Sequence, residues 1–187
     1  MKKSIKLPLF LGLTCLGCTG VLAVVNELTS PIIKENEVKA QNAGYLQLFE
    51  LNSFDGYKLA NPEISADLQD EGIVSKLEIT NASDDTLFGI AYDASVTGYS
   101  SDGIKFQVGF KDGKYAGFVV ITSGETPGFG QDYLNVLTTY LKGLDANTTL
   151  EKLEADTIGL KSGTTHTREG VLPAVFAAAQ DYLADAE

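Results

Sequence analysis

The chain has 187 residues, 44% of them hydrophobic, with 25 acidic against 14 basic residues and a formal net charge of −11. That length supports one domain with a real core plus a tail or anchor, and the acidic balance argues against nucleic acid and anionic lipid as partners of the folded part. The two cysteines, Cys15 and Cys18, both fall in the first apolar run, so no disulfide holds the rest of the chain together.

No charged residue lies between Leu7 and Val25, a run about long enough to cross a bilayer core as a helix. Lys2, Lys3 and Lys6 precede it and every acidic residue follows it. Positive flanks stay on the cytoplasmic side. The expectation is a single-pass cell-membrane protein with its N-terminus cytoplasmic and its domain extracytoplasmic. A cleaved signal peptide would have a shorter apolar core and small residues at a cleavage site, a pattern that Leu22-Ala23-Val24 fits poorly. The flanks therefore favour a retained helix. Cys18 raises lipidation as a third option, although the residues before it match such a site poorly. Cys15-Leu16-Gly17-Cys18 has the spacing of redox or metal chemistry, but a structural metal site usually needs four ligands. The plainer reading is small residues facing lipid or a neighbouring helix. Without a charged residue, the run offers nothing to line an ion path.

Helix is expected to continue from Glu27 to about Tyr45, with Pro31 near its start and Ile32, Ile33, Val38 and Ala40 as its apolar members. Asn52 to Leu68 is mixed and broken by Gly56 and Pro62. Ile73 to Thr80 alternates as a strand, Asn81 to Asp85 forms a turn, and Leu87 to Tyr92 is a second strand. Ile104, Phe106, Val108 and Phe110 alternate on one strand face, Lys111-Asp112-Gly113-Lys114 turns the chain, and Tyr115 to Thr122 returns. A helix over Asp132 to Leu144 follows from Tyr133, Leu134, Leu137, Tyr140, Leu141 and Leu144. Thr148 or Thr149 caps a short helix through Leu153. The last helix is expected over Arg168 to Leu183, with Pro173 near its front. The class is α+β: an antiparallel sheet with packed helices, preceded by one N-terminal transmembrane helix. The divisions are an anchor over 1–26, a juxtamembrane helix and connection over 27–70, and an extracytoplasmic domain over 71–187.

Two short motifs carry the chemistry. Glu125-Thr126-Pro127-Gly128-Phe129-Gly130 leaves the second hairpin strand through a turn, bringing a carboxylate and a hydroxyl to a strand end. Ser162-Gly163-Thr164-Thr165-His166-Thr167 sets four hydroxyls just before a helix N-terminus, where free N–H groups and the helix dipole favour phosphate. By composition alone the first is an ordinary turn and the second a Ser/Thr-rich cap. The lone histidine, His166, is a polar loop residue or a phosphate contact. No Ser-His-Asp arrangement and no metal-ligand cluster is visible.

With these motifs in this order behind an anchor, the chain resembles the flavin-binding G subunit of the Rnf-type electron-transport complex. That subunit is related to the C subunit of the sodium-translocating NADH:quinone reductase. The family carries E-T-P-G-[LF]-G and, later, S/T-G-A-T followed by x-T-S. The segment Val25-Asn26-Glu27-Leu28-Thr29-Ser30-Pro31-Ile32 resembles the family's exit from the membrane, as does Gly98-Tyr99 ahead of the hairpin. The resemblance implies covalent FMN, joined through its phosphate to Thr165 by a flavin transferase, with Glu125, Thr126 and Gly128 against the flavin and Ser162, Gly163 and Thr164 around the attachment. It also implies an electron-transfer subunit, not an enzyme alone, working with other membrane subunits that couple electron flow between ferredoxin and NAD to ion translocation. A stand-alone extracytoplasmic flavoprotein and a flavin-less binding domain are the alternatives. Three positions depart from the family pattern. Thr164 replaces the alanine, so two adjacent threonines compete as acceptor. Gly159 stands where an aspartate is usual, the nearest being Asp156, and Gly159-Leu160-Lys161 reads as a three-residue insertion. Ser123-Gly124 stands where many members have a histidine.

Overall fold

The computed structural model describes residues 3–159 and 162–185, and side chains within them apart from Lys3 to Pro8, Ile32, Lys34, Glu35 and Glu37. Leu160 and Lys161 of the expected insertion, and the apolar role expected of Ile32, lie outside the described residues. The chain divides into two compact units, Met1–Ala40 and Gln41–Glu187. The first unit is helical, formed by the greater part of α1 (Lys3–Leu48). Its segment Leu9–Pro31 is long and apolar enough to cross a membrane, and none of it is buried. Thr14 and Thr29 turn their hydroxyls back onto the carbonyls of Phe10 and Val25, which satisfies those two hydroxyls within the helix itself.

The second unit is an antiparallel five-stranded meander in the order β1-β2-β3-β4-β5, with β1 Tyr57–Ala60, β2 Ile73–Asn81, β3 Leu87–Val96, β4 Ile104–Lys111 and β5 Lys114–Ser123. The helices are α2 Ala66–Asp70, α3 Gly130–Leu141, α4 Leu150–Thr157 and α5 Thr165–Asp185. This is the expected α+β class. The β4–β5 hairpin turns on Asp112 and Gly113, both at positive φ (52° and 76°), the backbone that matches strand twist. Ile104, Phe106, Val108 and Phe110 are all buried in one core with Val171, Leu172 and Val175 of α5 and Leu134 and Leu137 of α3. Thr149 caps α4 by accepting from Lys152 N–H.

Several elements differ from expectation: α2 begins in the stretch read as mixed, and α4 runs on past Leu153 to Thr157. β1 lies in the stretch read as mixed: its four residues are mostly exposed and show no alternation. β3 continues to Val96 because β4 pairs with it from Ile90 to Val96. α3 stops at Leu141, and Leu144 instead donates back to the Leu141 carbonyl. α5 begins at Thr165, so Pro173 lies inside the helix, where its missing N–H breaks the backbone ladder.

The opposite sheet face holds a second core of Tyr45, Leu48, Phe49, Leu77, Ile79 and Ala91. Leu77, Ala91, Gly109 and Gly117 lie in register across four strands. A Cβ on Gly109 or Gly117 would come within 3.2–3.4 Å of Phe49 or Leu48, so the small residues make the channel in which the end of α1 lies. Beneath it, buried Asp93 accepts from the hydroxyls of Tyr45 and Ser75 and from Gln107 Nε2, and Gln107 also reaches the Gln41 carbonyl at 3.2 Å.

The end of α5 closes over β2 through charge. Lys76, 6% exposed, bonds to Asp181 at 2.8 Å and to Asp185, and the Tyr92 hydroxyl donates to Asp181 at 2.7 Å. Burial alone would depress Lys76, but the two carboxylates outweigh it and hold its pKa above the ordinary value. Burial, then the hydrogen bond to Asp181, pushes Tyr92 up as well. Both folded-state pKa values exceed the unfolded ones. Their contribution to stability is therefore complete below about pH 10 and is lost as pH rises through the folded values. Denaturant midpoints followed from about pH 8 to about pH 11 should fall above about pH 10, and Lys76→Met should flatten that fall.

Candidate functional site

Three segments meet at one end of the sheet: the β3–β4 loop with Tyr99 and Ser100, the β5–α3 loop with Glu125 to Gly130, and the entry to α5. The first motif forms a turn in which Phe129 N–H donates to the Thr126 carbonyl at 3.2 Å. Proline precedes Gly128, whose φ of +87° is the backbone that a type II turn requires at that place. Asp132, in the first turn of α3, accepts from Gly128 N–H at 3.2 Å.

Glu125 turns inward and is 5% exposed. Its Oε2 accepts from the Thr167 hydroxyl at 2.6 Å and its Oε1 from Ser100 N–H at 3.1 Å. The carboxylate fits because two neighbours lack side chains. A Cβ on Gly98 would lie 2.4 Å from Oε1, and one on Gly130 would lie 2.0 Å from Oε2. Gly170 similarly lets the first turns of α5 rest on the Thr97 carbonyl, 2.0 Å from where its Cβ would be.

Helical phase sorts the hydroxyls of the second motif. Arg168 N–H donates to the Thr164 carbonyl at 2.9 Å, which makes Thr164 the residue preceding the first turn. Thr164, Thr167 and Val171 lie on the inner side and are buried, whereas Ser162, Thr165 and His166 are exposed. His166 is 3.5 Å from Glu169 Oε2, and its ring centroid is 6.3 Å from that of Tyr99. Asp156, the nearest aspartate upstream, is engaged elsewhere: it accepts from Lys152 Nζ and the Tyr140 hydroxyl, each at 2.8 Å. The hydrogen bond from Lys152, followed by that from Tyr140, holds its carboxyl below the usual range.

A cleft of about 340 Å³ opens between the motifs, lined by Tyr99, Glu125, Thr126, Phe129, Gly130 and Gly163. Of the residues singled out in the sequence, Glu125, Thr126 and Gly163 line it. Gly128 shapes the turn beside it, and Ser162, Thr164 and Thr165 belong to the adjoining loop and helix start. Tyr99, Phe129, Gly130 and Thr167 were not among the expected site residues. Tyr99 and Phe129 are 74% and 54% exposed, a large apolar display for two neighbouring aromatics. Gly163, at φ +76°, brings its backbone against the Phe129 ring. No group of His, Cys, Asp and Glu able to hold a metal exists among the described residues.

Residues 1–48 match the family model described as the RnfG N-terminal region, and residues 98–180 match the model of the FMN-binding domain. No curated protein matches the chain significantly. The cleft suits a planar ring system: its volume falls in the range of small-molecule sites, two exposed aromatics flank it, and one buried carboxylate supplies a fixed polar group. Gly130→Ala should force the Glu125 carboxylate out of place, costing about 1–3 kcal/mol. The check is a denaturant midpoint, with Glu125→Ala less harmful in the Gly130→Ala background than in wild type.

Proposed function

Because the chain belongs to the RnfG-type flavin-binding subunits, we propose that it is a membrane-anchored electron-transfer subunit carrying FMN as a phosphoester of Thr165. The single observation that carries this reading is the meeting of both motifs at one cleft, with an exposed threonine hydroxyl on the first turn of a long helix beside it. FMN, when bound, supplies exchange of one or two electrons, and the protein supplies position and electrostatics.

Each part of the site has a task in this reading. Thr165 is exposed to a transferase, whereas Thr164 is 5% exposed, and this favours Thr165 over its neighbour as acceptor. In the modification the Thr165 oxygen bonds to the FMN phosphorus, the hydroxyl proton is released, and the leaving group of an activated FMN ester departs. The first N–H groups of α5 have no acceptor within the helix, and with the helix dipole they favour the phosphate there. Gly163 lets the loop pass close to the ring, Ser162 and Thr164 frame the attachment, Tyr99 and Phe129 offer stacking faces, and Glu125, Thr126 and Gly128 meet the polar edge. A covalent tether keeps the cofactor from being lost at an exposed site.

The chain works with the other membrane subunits of an Rnf-like complex, in which electron flow between ferredoxin and NAD is coupled to ion movement. The lysine-rich leader sets its N-terminus in the cytoplasm and its folded unit outside.

Two measurements test this. Co-expressed with a flavin transferase, the wild-type chain should gain the mass of an FMN group and fluoresce in a denaturing gel. Thr165→Ala should lose both signals; a signal that survives Thr165→Ala and vanishes in Thr164→Ala would move the attachment by one residue. In membrane vesicles of known sidedness, protease should digest residues 41–187 only from the outer face. Digestion from the cytoplasmic face would reverse the orientation.

A further inference from the structure

The Glu125 carboxylate is held unusually firmly for a side chain on a cleft wall. Thr167 donates to Oε2 at 2.6 Å and Ser100 N–H to Oε1 at 3.1 Å, with Thr167 itself only 1% exposed. The closeness of the Gly98 and Gly130 backbones leaves neither oxygen room to shift toward them. A carboxylate oxygen has more than one acceptor site, so each keeps capacity toward the cleft after these bonds are made.

We propose that Thr167 is a positioning residue for electron transfer: its hydroxyl fixes the Glu125 carboxylate as a negative charge at a set place beside the bound flavin. The proposal rests on the FMN reading above. A fixed negative charge at short range, partly shielded from water, opposes the addition of an electron to the ring and lowers its reduction potential. Thr167 does not line the cleft and acts through Glu125 alone. Without its hydroxyl, a buried carboxylate oxygen loses its donor, a costly state. The carboxylate is then no longer held in place and turns away toward water. That removes the charge from the cleft, and the potential rises.

The test is spectroelectrochemical titration of the flavin in the full-length, flavin-loaded chain, comparing wild type with Glu125→Gln, Thr167→Val, Thr167→Ser and the double variant Glu125→Gln/Thr167→Val. Valine keeps the shape of threonine without the hydroxyl, and serine keeps the hydroxyl without the methyl. The expected result is an upward shift in Glu125→Gln and Thr167→Val, a wild-type potential in Thr167→Ser, and a double variant equal to Glu125→Gln alone. A flavin-bearing Thr167→Val with the wild-type potential, or shifts that simply add in the double variant, would overturn the proposal. If Thr167→Val takes up no flavin, Thr167→Ser decides: a wild-type potential supports the role of the hydroxyl, and one displaced toward that of Glu125→Gln overturns it. A wild-type chain that takes up no flavin would overturn the FMN reading and this proposal together, whereas failure of the proposal alone leaves flavin attached.

Discussion

A buried carboxylate cannot sit idle in a fold, because its removal from water must be offset by donors and by close packing. Glu125 meets that demand by drawing three separate stretches of chain to itself. Ser100 comes from the β3–β4 loop, Thr167 from α5, and Gly130 opens α3 directly against the carboxylate. The cleft is the space left beside this junction. Its aromatic walls, Tyr99 and Phe129, stand where they do because each is one residue from a contact of the junction, Ser100 and Gly130.

The long apolar helix, the class and the central hairpin were legible in the sequence because each has a strong local cause. A charge-free run of this length reads as one apolar helix, and the alternation in β4 ends at an Asp-Gly pair suited to positive φ. β1 was not legible, since four largely exposed residues gain their order from pairing with β2 and not from any pattern of their own. The start of α5 was misplaced for a related reason. Thr165, His166 and Thr167 are weak helix formers, and tertiary contacts hold that turn: Thr167 to Glu125, and Gly170 on the Thr97 carbonyl.

The candidate site divides along the same line. Turn chemistry around Pro127 and Gly128, and a cluster of hydroxyls after Gly163, are local signals visible at once. The partnership of Glu125 with Thr167 joins residues 42 positions apart, and spacing carries no trace of it. Which hydroxyl turns inward is decided by helical phase, and that phase depends on where α5 begins. Likewise Tyr99 and Phe129 lie in loops without periodicity, so only the folded chain brings them to one cleft.

Both cysteines, Cys15 and Cys18, lie in the apolar span, and the sheet unit has none. Its cohesion comes instead from two cores and from the polar contacts of Asp93, Lys76 and Glu125. None of these bonds can be made or broken by a thiol reagent or a change in ambient redox poise. With no cysteine in residues 41–187, no disulfide of this unit can form or break as its surroundings turn oxidising or reducing, and no thiol of its own is there to exchange electrons.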